Sequence, residues 1–459
     1  MSDYAAAYRS KLRTPEQAAE LVPARGNLSM GMGVAMPPAL TRTVADHARA
    51  GDIEDVKLYY MHPAPVAEDT VLAMDVTAAI KPHPFYMGPI ERALVQRQEE
   101  VGRKVVYYVP AYFHQVALIM IEDIGIDAHM VTVSPMDRHG YFSFGTNGDY
   151  SIDVARNCKK LLVEVNENMP RTFGYGLLHI SEVDAIVENT VPLVEYSPHE
   201  AAPTDAQIAE YIRQLIPEHA CVQFGIGGVP DAVCATLKDH KDLGIHTELL
   251  TPSMIDLIEE GDVSNKYKNI HRYKTLFNLA LGPREMYEFI DDNPSMEVGP
   301  ASYVNDPAII GQNDNVISVN SFIEIDLLGQ VNAEFLLGHQ FSAPGGQLDF
   351  VRGAQRSKGG RSFVAATSTA AHGKFSRVVP RLSAPVTDPR MEVEYVVTEF
   401  GICNLRGKSS TERARALIEI AHPSFREELT AAAEEAGFWW SDGRGHTSAP
   451  RGAAGSIRR

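Results

Sequence analysis

The sequence predicts an α/β protein made of two similar domains, and three observations lead to this prediction. Apolar, β-branched segments bounded by Gly or Pro alternate along the chain with amphipathic helical patterns, as they do in α/β folds. Several of these segments are apolar throughout, which is typical of parallel strands covered on both faces. The chain has 459 residues, enough for two or three domains at about 150 residues each, and short sequence markers from its first part recur in its second part.

The predicted elements follow one another in regular alternation after an opening helix at the N-terminus. The predicted strands are KVVYYVP (104–110), HMVTVSP (129–135), KLLVEVNE (160–167), ACVQFGIG (220–227), LGIHTELL (243–250), VISVNSF (316–322), RSFVAAT (361–367) and YVVTEFG (395–401). The predicted helices are PPALTRTVADHARAG (37–51), PIERALVQRQEEVG (89–102), DAQIAEYIRQLIP (205–217), PDAVCATLKDHKDLG (230–244) and STERARALIEIAHPSFREELTAAAEEAG (410–437). Most of these helical patterns end at Gly or Pro, which are common helix terminators.

An internal repeat supports two domains rather than one. Four markers occur twice in the same order, at separations of 194, 193, 189 and 196 residues: Gly31-Met-Gly33 with Gly225-Ile-Gly227, Asp46-His47 with Asp239-His240, Asp137 to Gly140 with Asp326 to Gly329, and Asp153 to Arg156 with Asp349 to Arg352. Coincidental turn residues are the alternative explanation of each short marker alone. We therefore expect one α/β domain over residues 1–198, a second over 199–440, and a disordered polar and basic tail over 441–459.

The composition excludes several classes of protein. The 42 Lys and Arg residues against 59 Asp and Glu residues give a net charge of −17, so a surface that follows nucleic-acid phosphates is not expected. The four cysteines are far apart in the sequence and form no zinc signature, which favours a reducing cytoplasm and no metal site. Neither a membrane span nor a signal peptide is apparent, so no membrane association is expected.

Two glycine-rich turns follow predicted strands and open predicted helices. The first contains Gly31 and Gly33, and the second contains Gly225, Gly227 and Gly228. Such a turn directs backbone N–H groups toward an anion at a helix N-terminus. A dinucleotide fingerprint needs another glycine three residues later and a Walker A loop needs a following Lys, and neither residue is present. A tight turn with no ligand remains the alternative.

A third glycine cluster contains Gly345, Gly346 and Gln347. Adjacent glycines permit positive φ angles and free N–H groups, which suit an oxyanion hole. Cationic residues follow it in the sequence, among them Lys358 and Lys374. They are candidates to bind an anionic cofactor, and solvated loop charges are the alternative for each of them.

Few carboxylates are placed where a catalytic group would be expected. Glu248 lies in a short apolar strand one βα unit after the second glycine turn, and sites of doubly wound sheets form outside the carboxyl ends of strands. Glu324, Asp326 and Glu399 compete with it on the residues alone. No Gly-x-Ser-x-Gly elbow and no HExxH motif is present, which disfavours a serine hydrolase and a zinc protease.

Several longer motifs together resemble one known family. They are GIGGVPDAV, LGIHTEL, YVNDPAIIGQNDN, VNSFIEIDLLGQVNAE, GGQLDFVRGAQRSKGG, SPMDRHGYFSFG and VTEFGICNLRGKSSTERARALIEIAHPSFRE. The sequence resembles the acetyl-CoA hydrolase/transferase family of class I CoA-transferases, typified by 4-hydroxybutyrate and butyryl-CoA:acetate CoA-transferases, from about residue 10 to residue 438. The resemblance implies two open α/β/α domains of the CoA-transferase fold with the active site between them, in a homo-oligomer such as a homodimer.

The same resemblance implies roles for individual residues. The nucleophilic glutamate of the family falls on Glu248, its glycine loop that binds CoA and the thioester oxygen falls on Gly345 and Gly346, and an N-terminal oxyanion donor falls near Val34. Coenzyme A is then a substrate, and no tightly bound cofactor or metal is implied. A glutamate of ordinary pKa, about 4.3, is ionised at neutral pH and attacks a thioester without a general base.

The resemblance leaves the substrate and part of the reaction open. Residues 59–62 and 85–92 differ from butyrate-type members, so a subgroup that acts on itaconate or succinate is as plausible as one that acts on acetyl-, butyryl- or 4-hydroxybutyryl-CoA. Transfer would be ping-pong, through a glutamyl-CoA thioester. An acyl-CoA hydrolase with the same glutamate is the nearest alternative, and a non-catalytic acyl-CoA or sugar-phosphate sensor is an alternative from another class.

Overall fold

The structure is a computed structural model that describes residues 4–197, 202–225, 227–238 and 240–439. We call residues 4–197 the first half and residues 202–439 the second half. The predicted tail 441–459 lies outside the described residues. So does the predicted boundary between 198 and 199, which therefore remains a prediction.

The first half contains one large sheet and the helices that cover it. Its strands are β1 Arg25–Met30, β2 Asp55–Tyr60, β3 Ile80–Pro84, β4 Ala128–Val133, β5 Tyr141–Ser143, β6 Lys160–Val165, β7 Phe173–Gly174, β8 Leu177–His179 and β9 Ala185–Glu188. Its helices are α1 Tyr4–Lys11, α2 Pro15–Ala19, α3 Pro38–Ala50, α4 Pro89–Gln96, α5 Phe113–Leu118, which continues as a π-helix over Ile119–Ile124, and α6 Ser151–Ala155.

The second half contains a larger sheet and three short ladders. Its strands are β10 Cys221–Phe224, β11 Gly244–Leu250, β12 Thr275–Ala280, β13 Met296–Val298, β14 Val316–Ser321, β15 Glu324–Asp326, β16 Val331–Asn332, β17 Phe335–Leu336, β18 His339–Gln340, β19 Arg361–Ala365, β20 Thr369–Ala370, β21 Phe375–Ser376, β22 Val378–Val379, β23 Tyr395–Thr398 and β24 Gly401–Asn404. Its helices are α7 Pro203–Arg213, α8 Gly228–Ala235, α9 Pro252–Glu259, α10 Arg284–Ile290, α11 Ala301–Val304, α12 Pro307–Ile310, α13 Gln347–Arg356, α14 Ser410–Ile420 and α15 Arg426–Glu435.

The two large sheets have the same topology. The first has the strand order β3-β2-β1-β4-β6-β9 and is parallel throughout. The second contains β12-β11-β10-β14-β19-β23 in the equivalent order, with β13 and β7 added beyond β12 and the antiparallel β24 added beyond β23. Both cores therefore follow the doubly wound order 3-2-1-4-5-6. The predicted α/β class with two similar sheets is confirmed.

One of the four sequence markers forms the same turn in both halves. The carboxylate of Asp137 accepts hydrogen bonds from the N–H groups of residues 139 and 141, and that of Asp326 accepts them from the N–H groups of residues 328 and 330. Gly140 and Gly329 close these turns with φ of 85° and 87°, a left-handed conformation that favours glycine. The repeat is thus structural.

One predicted strand is wrong. Residues 104–110 run beside β3 but form no ladder with it, because β3 contributes Pro82 and Pro84 at that edge and proline has no N–H to donate. The contact is therefore one-sided: the N–H groups of Tyr107 and Val109 each donate to a proline carbonyl at 2.9 Å. No helix in the part of the chain that the structure describes has the length and apolar character of a membrane span.

The two halves meet through a pair of equivalent contacts. The N–H of Phe113, at the start of α5, donates to the carbonyl of Gly345 at 3.1 Å, and the N–H of Ala301, at the start of α11, donates to the carbonyl of Asp149 at 2.8 Å. Phe113 and Ala301 lie 188 positions apart, and Asp149 and Gly345 lie 196 positions apart. Each half thus inserts the start of a short helix against a loop of the other half, and this places the glycine loop at the interface.

Candidate active site

Glu248 lies near the carboxyl end of β11, a strand between β10 and β12. The residues before it are buried, and His246 is tied on both sides: its Nε2 lies 2.8 Å from the carbonyl oxygen of Val304 and its Nδ1 lies 3.3 Å from Asn313 Nδ2. Burial lowers the pKa of His246 to about 3, so this imidazole is neutral. Glu248 itself is half-buried, on a strand that its neighbours hold in place.

The glycine loop lies directly against this carboxylate. A Cβ placed on Gly346 would collide with Glu248 Oε2 and with Asn305 Nδ2, whereas a Cβ on Gly345 would lie 3.7 Å from Glu248 Oε1. Gly345 has a φ of 53°, which L side chains adopt at a cost. Gly346 is therefore required for space, and Gly345 for the path of the backbone.

Two asparagines behind the carboxylate fix its orientation. Asn305 Nδ2 donates to Glu248 Oε2 at 2.6 Å, and Asn278 Nδ2 donates to Asn305 Oδ1 at 2.7 Å. Asn278 lies on β12 and Asn305 follows α11. Because the Asn305 amide oxygen already accepts a hydrogen bond, its NH₂ group faces Glu248.

Burial raises the pKa of Glu248 to about 7. The hydrogen bond from Asn305 and the nearby backbone amide of Gly346 lower it in part, and the negative charge of Asp349 raises it further. The expectation of a glutamate with an ordinary pKa is therefore wrong. Near neutral pH the carboxyl group is divided between its acid and its carboxylate form.

A turn of the first half packs against the second half just after β12. The turn Gly33–Ala35 contains the buried Val34, and a Cβ on Gly33 would lie 3.2 Å from a methyl group of Leu281, just after β12. The N–H of Gly33 donates to the carbonyl of His62 at 2.9 Å, whereas no hydrogen bond of the Val34 N–H is found within the described residues. Tyr86 is close enough to Glu248 for their charges to interact.

Family models and individual proteins both match this chain. The model of the acetyl-CoA hydrolase/transferase N-terminal domain matches residues 1–195, and that of the acetyl-CoA hydrolase/transferase C-terminal domain matches residues 282–433. The succinyl-CoA:cyclohexane-1-carboxylate CoA transferase of Geobacter metallireducens is 41% identical over 435 residues, which cover 94% of this chain and 96% of that protein. The chain belongs to the acetyl-CoA hydrolase/transferase family.

Two further relatives agree with this family. The 4-hydroxybutyrate coenzyme A transferase of Clostridium kluyveri is 43% identical over 325 residues, 70% of this chain and 76% of that protein. The crystal structure of RipA from Yersinia pestis has a TM-score of 0.92 and 52% identity, covering 95% of this chain and 100% of that one. The predicted family, its fold and an enzyme of the CoA-transferase class are confirmed.

The competing carboxylates of this family member are engaged elsewhere. Glu399 accepts hydrogen bonds from the N–H and the hydroxyl group of Ser368, and Asp326 is occupied by its turn. Glu324 begins β15, where it pairs with Asn332 across the short ladder. Among these candidates, Glu248 is the one that lies against the glycine loop.

The second glycine turn lies on the strand beside Glu248. Gly225 directly follows β10. In the register of β10 with β11, Val222 pairs with Ile245, so Gly225, three residues further on, is level with Glu248. A Cβ on Gly225 would meet Asn320 of β14 at 3.1 Å, and one on Gly228 would collide with Asp205 of α7. Gly227 has a φ of 130°. This turn is therefore tightly packed between β14 and α7 at the same edge of the sheet.

Three of the expected cofactor-binding residues are not brought to Glu248. Lys358 is exposed and follows α13, a helix of ten residues. It lies beside the amino ends of β14 and β19. Lys374 is exposed in the hairpin of β20 and β21, where its Nζ lies over the ring of Phe375. The Gln347 side chain donates instead to the buried Asp388 at 2.6 Å. Their binding to the cofactor remains a prediction: Gln347 directly follows Gly346, whereas the ten residues of α13 separate Lys358 from the glycine loop.

Sequence reasoning missed the partners of Glu248. Asn305 lies in the motif YVNDPAII, whose Asn-Asp-Pro run indicated a turn but gave no role to the amide. Asp349 was found only as a repeat marker. His114, whose Nδ1 lies 2.7 Å from Asp349 Oδ1, follows an apolar segment and carried no signal at all.

Proposed function

We propose that this protein transfers coenzyme A between an acyl-CoA and a small carboxylate, with Glu248 as the nucleophile. The observation that supports this best is the contact between Glu248 and the glycine loop, which leaves no space for a side chain at Gly346. This closeness of a carboxylate and a glycine loop supports a nucleophile with backbone N–H donors beside it. This is the arrangement that acyl transfer requires.

The reaction proceeds in two symmetrical halves. The Glu248 carboxylate attacks the thioester carbonyl, the C–S bond breaks, and CoA leaves as its thiolate from an acyl-glutamyl anhydride. The thiolate then attacks the glutamyl carbonyl of that anhydride, which releases the first carboxylate and leaves a glutamyl-CoA thioester. The acceptor carboxylate repeats both steps in reverse order. Each addition places negative charge on a carbonyl oxygen, and one preorganised donor is worth about 2.7–4 kcal/mol.

The donors for these charges come from both halves of the chain. We expect them to be the backbone N–H groups of Gly345 and Gly346, whose residues adjoin Glu248, and the N–H of Val34 in the turn of the first half. Asn305 fixes the carboxylate by its Oε2, so Oε1 is the oxygen we expect to attack. Coenzyme A enters as a substrate, and the residues described here supply the chemistry.

The names of the relatives indicate the class of substrate we expect. They are named for succinyl-CoA, cyclohexane-1-carboxylate and 4-hydroxybutyrate, so we expect acetyl-, butyryl-, 4-hydroxybutyryl- or succinyl-CoA as the donor and a small carboxylate as the acceptor. Hydrolysis would use the same glutamate, with water in place of the acceptor. The transfer reaction is favoured because the curated relatives described above are named as transferases.

Product analysis tests the proposal directly. We expect acetyl-CoA or succinyl-CoA, incubated with the protein and a panel of carboxylates, to yield the CoA thioester of one or more acceptors. With both substrates varied, initial rates should give the parallel double-reciprocal lines of a ping-pong mechanism. Release of free CoA at the same rate with and without acceptors would indicate a hydrolase instead.

Trapping identifies the nucleophile. With acyl-CoA and no acceptor, a CoA thioester should accumulate on the peptide that contains residues 246–250, and borohydride should inactivate the protein only after acyl-CoA has been added. Glu324→Ala is the matched control and should still form the adduct, whereas Glu248→Ala should not. Intersecting lines without an adduct would contradict the covalent mechanism.

A further inference from the structure

A pair formed by the half-buried His114 and a buried aspartate joins the two halves beside the glycine loop. His114 begins α5 of the first half, and Asp349 lies in the first turn of α13, three residues after Gly346. The His114 Nδ1 lies 2.7 Å from Asp349 Oδ1, and its backbone N–H donates to Oδ2 at 3.3 Å. The Asp349 side chain is only 1% exposed. The N–H of Phe113 also donates to the carbonyl of Gly345. The start of α5 therefore contacts both the glycine loop and the first turn of α13, which follows it.

The internal repeat contains a second copy of this contact with a different partner. Asp153 is the equivalent of Asp349, and it accepts a hydrogen bond from the Ser302 hydroxyl at 2.5 Å. Ser302 and His114 lie 188 positions apart, the same separation as the residues that precede them. A neutral hydroxyl therefore suffices to hold the aspartate in one copy. The copy next to Glu248 has a titratable partner instead.

Several charged groups surround the pair. His114 faces Asp349, Asp306 and Arg352, and the cleft that it lines also contains Arg356, Glu392 and Arg406. Burial disfavours its imidazolium form, yet the hydrogen bond and charge of Asp349 raise the pKa of His114 above its ordinary value. Glu248 faces Asp349 from α13 and Tyr86 from the first half. A positive charge on His114 therefore offsets the negative charge of Asp349 that Glu248 experiences.

We propose that His114 is a positioning residue for the Glu248 site, which it serves by holding Asp349 and, through it, the glycine loop and the charge beside Glu248. The proposal rests on the proposed function in one respect, the role of Glu248 as the reacting group. It assigns to the first half an electrostatic part in the chemistry of the second half.

Titration of Glu248 in the substrate-free protein tests the proposal. The carboxyl signals of ¹³C-labelled glutamate, assigned with Glu248→Gln, should titrate at higher pH in His114→Gln, because a positive charge is lost. They should titrate at lower pH in Asp349→Asn, because a negative charge is lost. We expect each shift to be about half a unit to one unit. His114→Lys should restore the titration toward that of the wild type.

The rate profile provides the second measurement. The acid limb of kcat/KM against pH should move in the same directions as the titration, with a loss of about 3- to 9-fold at pH 6 in His114→Gln. Two controls separate charge from packing. Ser302→Ala should lower the melting temperature without moving the limb, and His47→Gln, which removes a surface histidine 3.7 Å from Asp52, should change neither.

Shifts in the same direction for His114→Gln and Asp349→Asn, or no shift in either, would overturn the proposal. This titration needs no turnover, so it decides the role of His114 even in a protein that transfers no CoA. Failure of the proposed function has a different signature, which is the absence of any new CoA thioester from the wild-type protein with every carboxylate tried.

Discussion

The two halves share one fold and one mode of contact, but only the second half contains a carboxylate at the site. In the first half, extending the pairing of β1 with β2 by two residues sets Met61 level with Gly31. In the second half, the equivalent pairing of β10 with β11 sets Glu248 level with Gly225. The same separation that relates Asp153 to Asp349 relates Tyr150 to Gly346. The repeated scaffold thus places the apolar Met61 at this position in one copy and the carboxylate of Glu248 in the other.

The two halves differ because the first half has a tyrosine, Tyr150, at the position that Gly346 occupies in the second half. Tyr150 is fully buried, and its hydroxyl donates to the carbonyl of Met30 at 2.6 Å and accepts from the N–H of Met61 at 3.3 Å. The tyrosine therefore fills the first half at the point where Gly346 leaves room for the carboxylate of Glu248. The two copies have the same strand order and differ in the space that is available beside the strand.

The largest effect should come from replacing Glu248 by methionine, the residue that the first half has at the equivalent position, Met61. Glu248→Met removes the nucleophile and places an apolar side chain of similar size against the glycine loop. We expect transferase activity to fall by at least about 10⁴-fold while the melting temperature is kept. Glu399→Gln, at a carboxylate bonded to Ser368, should keep most of the activity, and the opposite pattern would move the nucleophile to Glu399.

The next effect should come from filling the space beside Glu248. Gly346→Ala places a Cβ on Glu248 Oε2 and Asn305 Nδ2, so we expect kcat to fall about 10²- to 10³-fold. Gly345→Ala meets no such collision and tests the φ of 53°, which costs about 1–2 kcal/mol for an L residue. It should lower the melting temperature more than it lowers kcat. Equal activity of the two variants would show that space is not the decisive property of the loop.

A smaller effect is expected at the asparagine behind the carboxylate. The repeat aligns Asn305 with Ala117, and Asn305→Ala removes the hydrogen bond that lowers the pKa of Glu248. The pKa should rise above about 7, so kcat/KM should fall about tenfold at pH 6 and much less at pH 8.5. A uniform loss across the pH range would assign Asn305 a purely steric role.

The smallest effect concerns stability. The pKa of Glu248 rises from 4.5 to about 7 on folding, so between these values the native state holds more protons than the unfolded state. Its contribution to the free energy of unfolding is complete below about pH 4.5 and is lost as the pH rises through about 7. Glu248→Gln removes this loss. The variant should melt a few degrees above the wild type at pH 8 and close to it at pH 4.5, as measured by calorimetry.

The sequence by itself determined the class of fold and the repeat. Apolar segments between helices predict parallel strands wherever the backbone can form the ladder, and the exception at residues 104–110 has its cause in Pro82 and Pro84, which lie in the neighbouring strand. The markers Asp137 and Asp326 were visible because a turn is a local structure. On the residues alone Glu248 was one of several candidate carboxylates, with Glu324, Asp326 and Glu399, and the resemblance to the family singled it out.

The tertiary structure alone decided which groups act on Glu248. Asn305 lies 57 residues from it along the chain, and His114 lies 235 residues from Asp349, so no local pattern connects them. It also decided the pKa of Glu248, since the burial of this carboxyl group and the nearby charge of Asp349 exist only in the folded chain. Lys358 shows the converse, because its helix carries it away from the loop that it follows in sequence. Strands and turns depend largely on local interactions and can be predicted from the sequence, whereas the electrostatics of a site depend on residues that folding brings together.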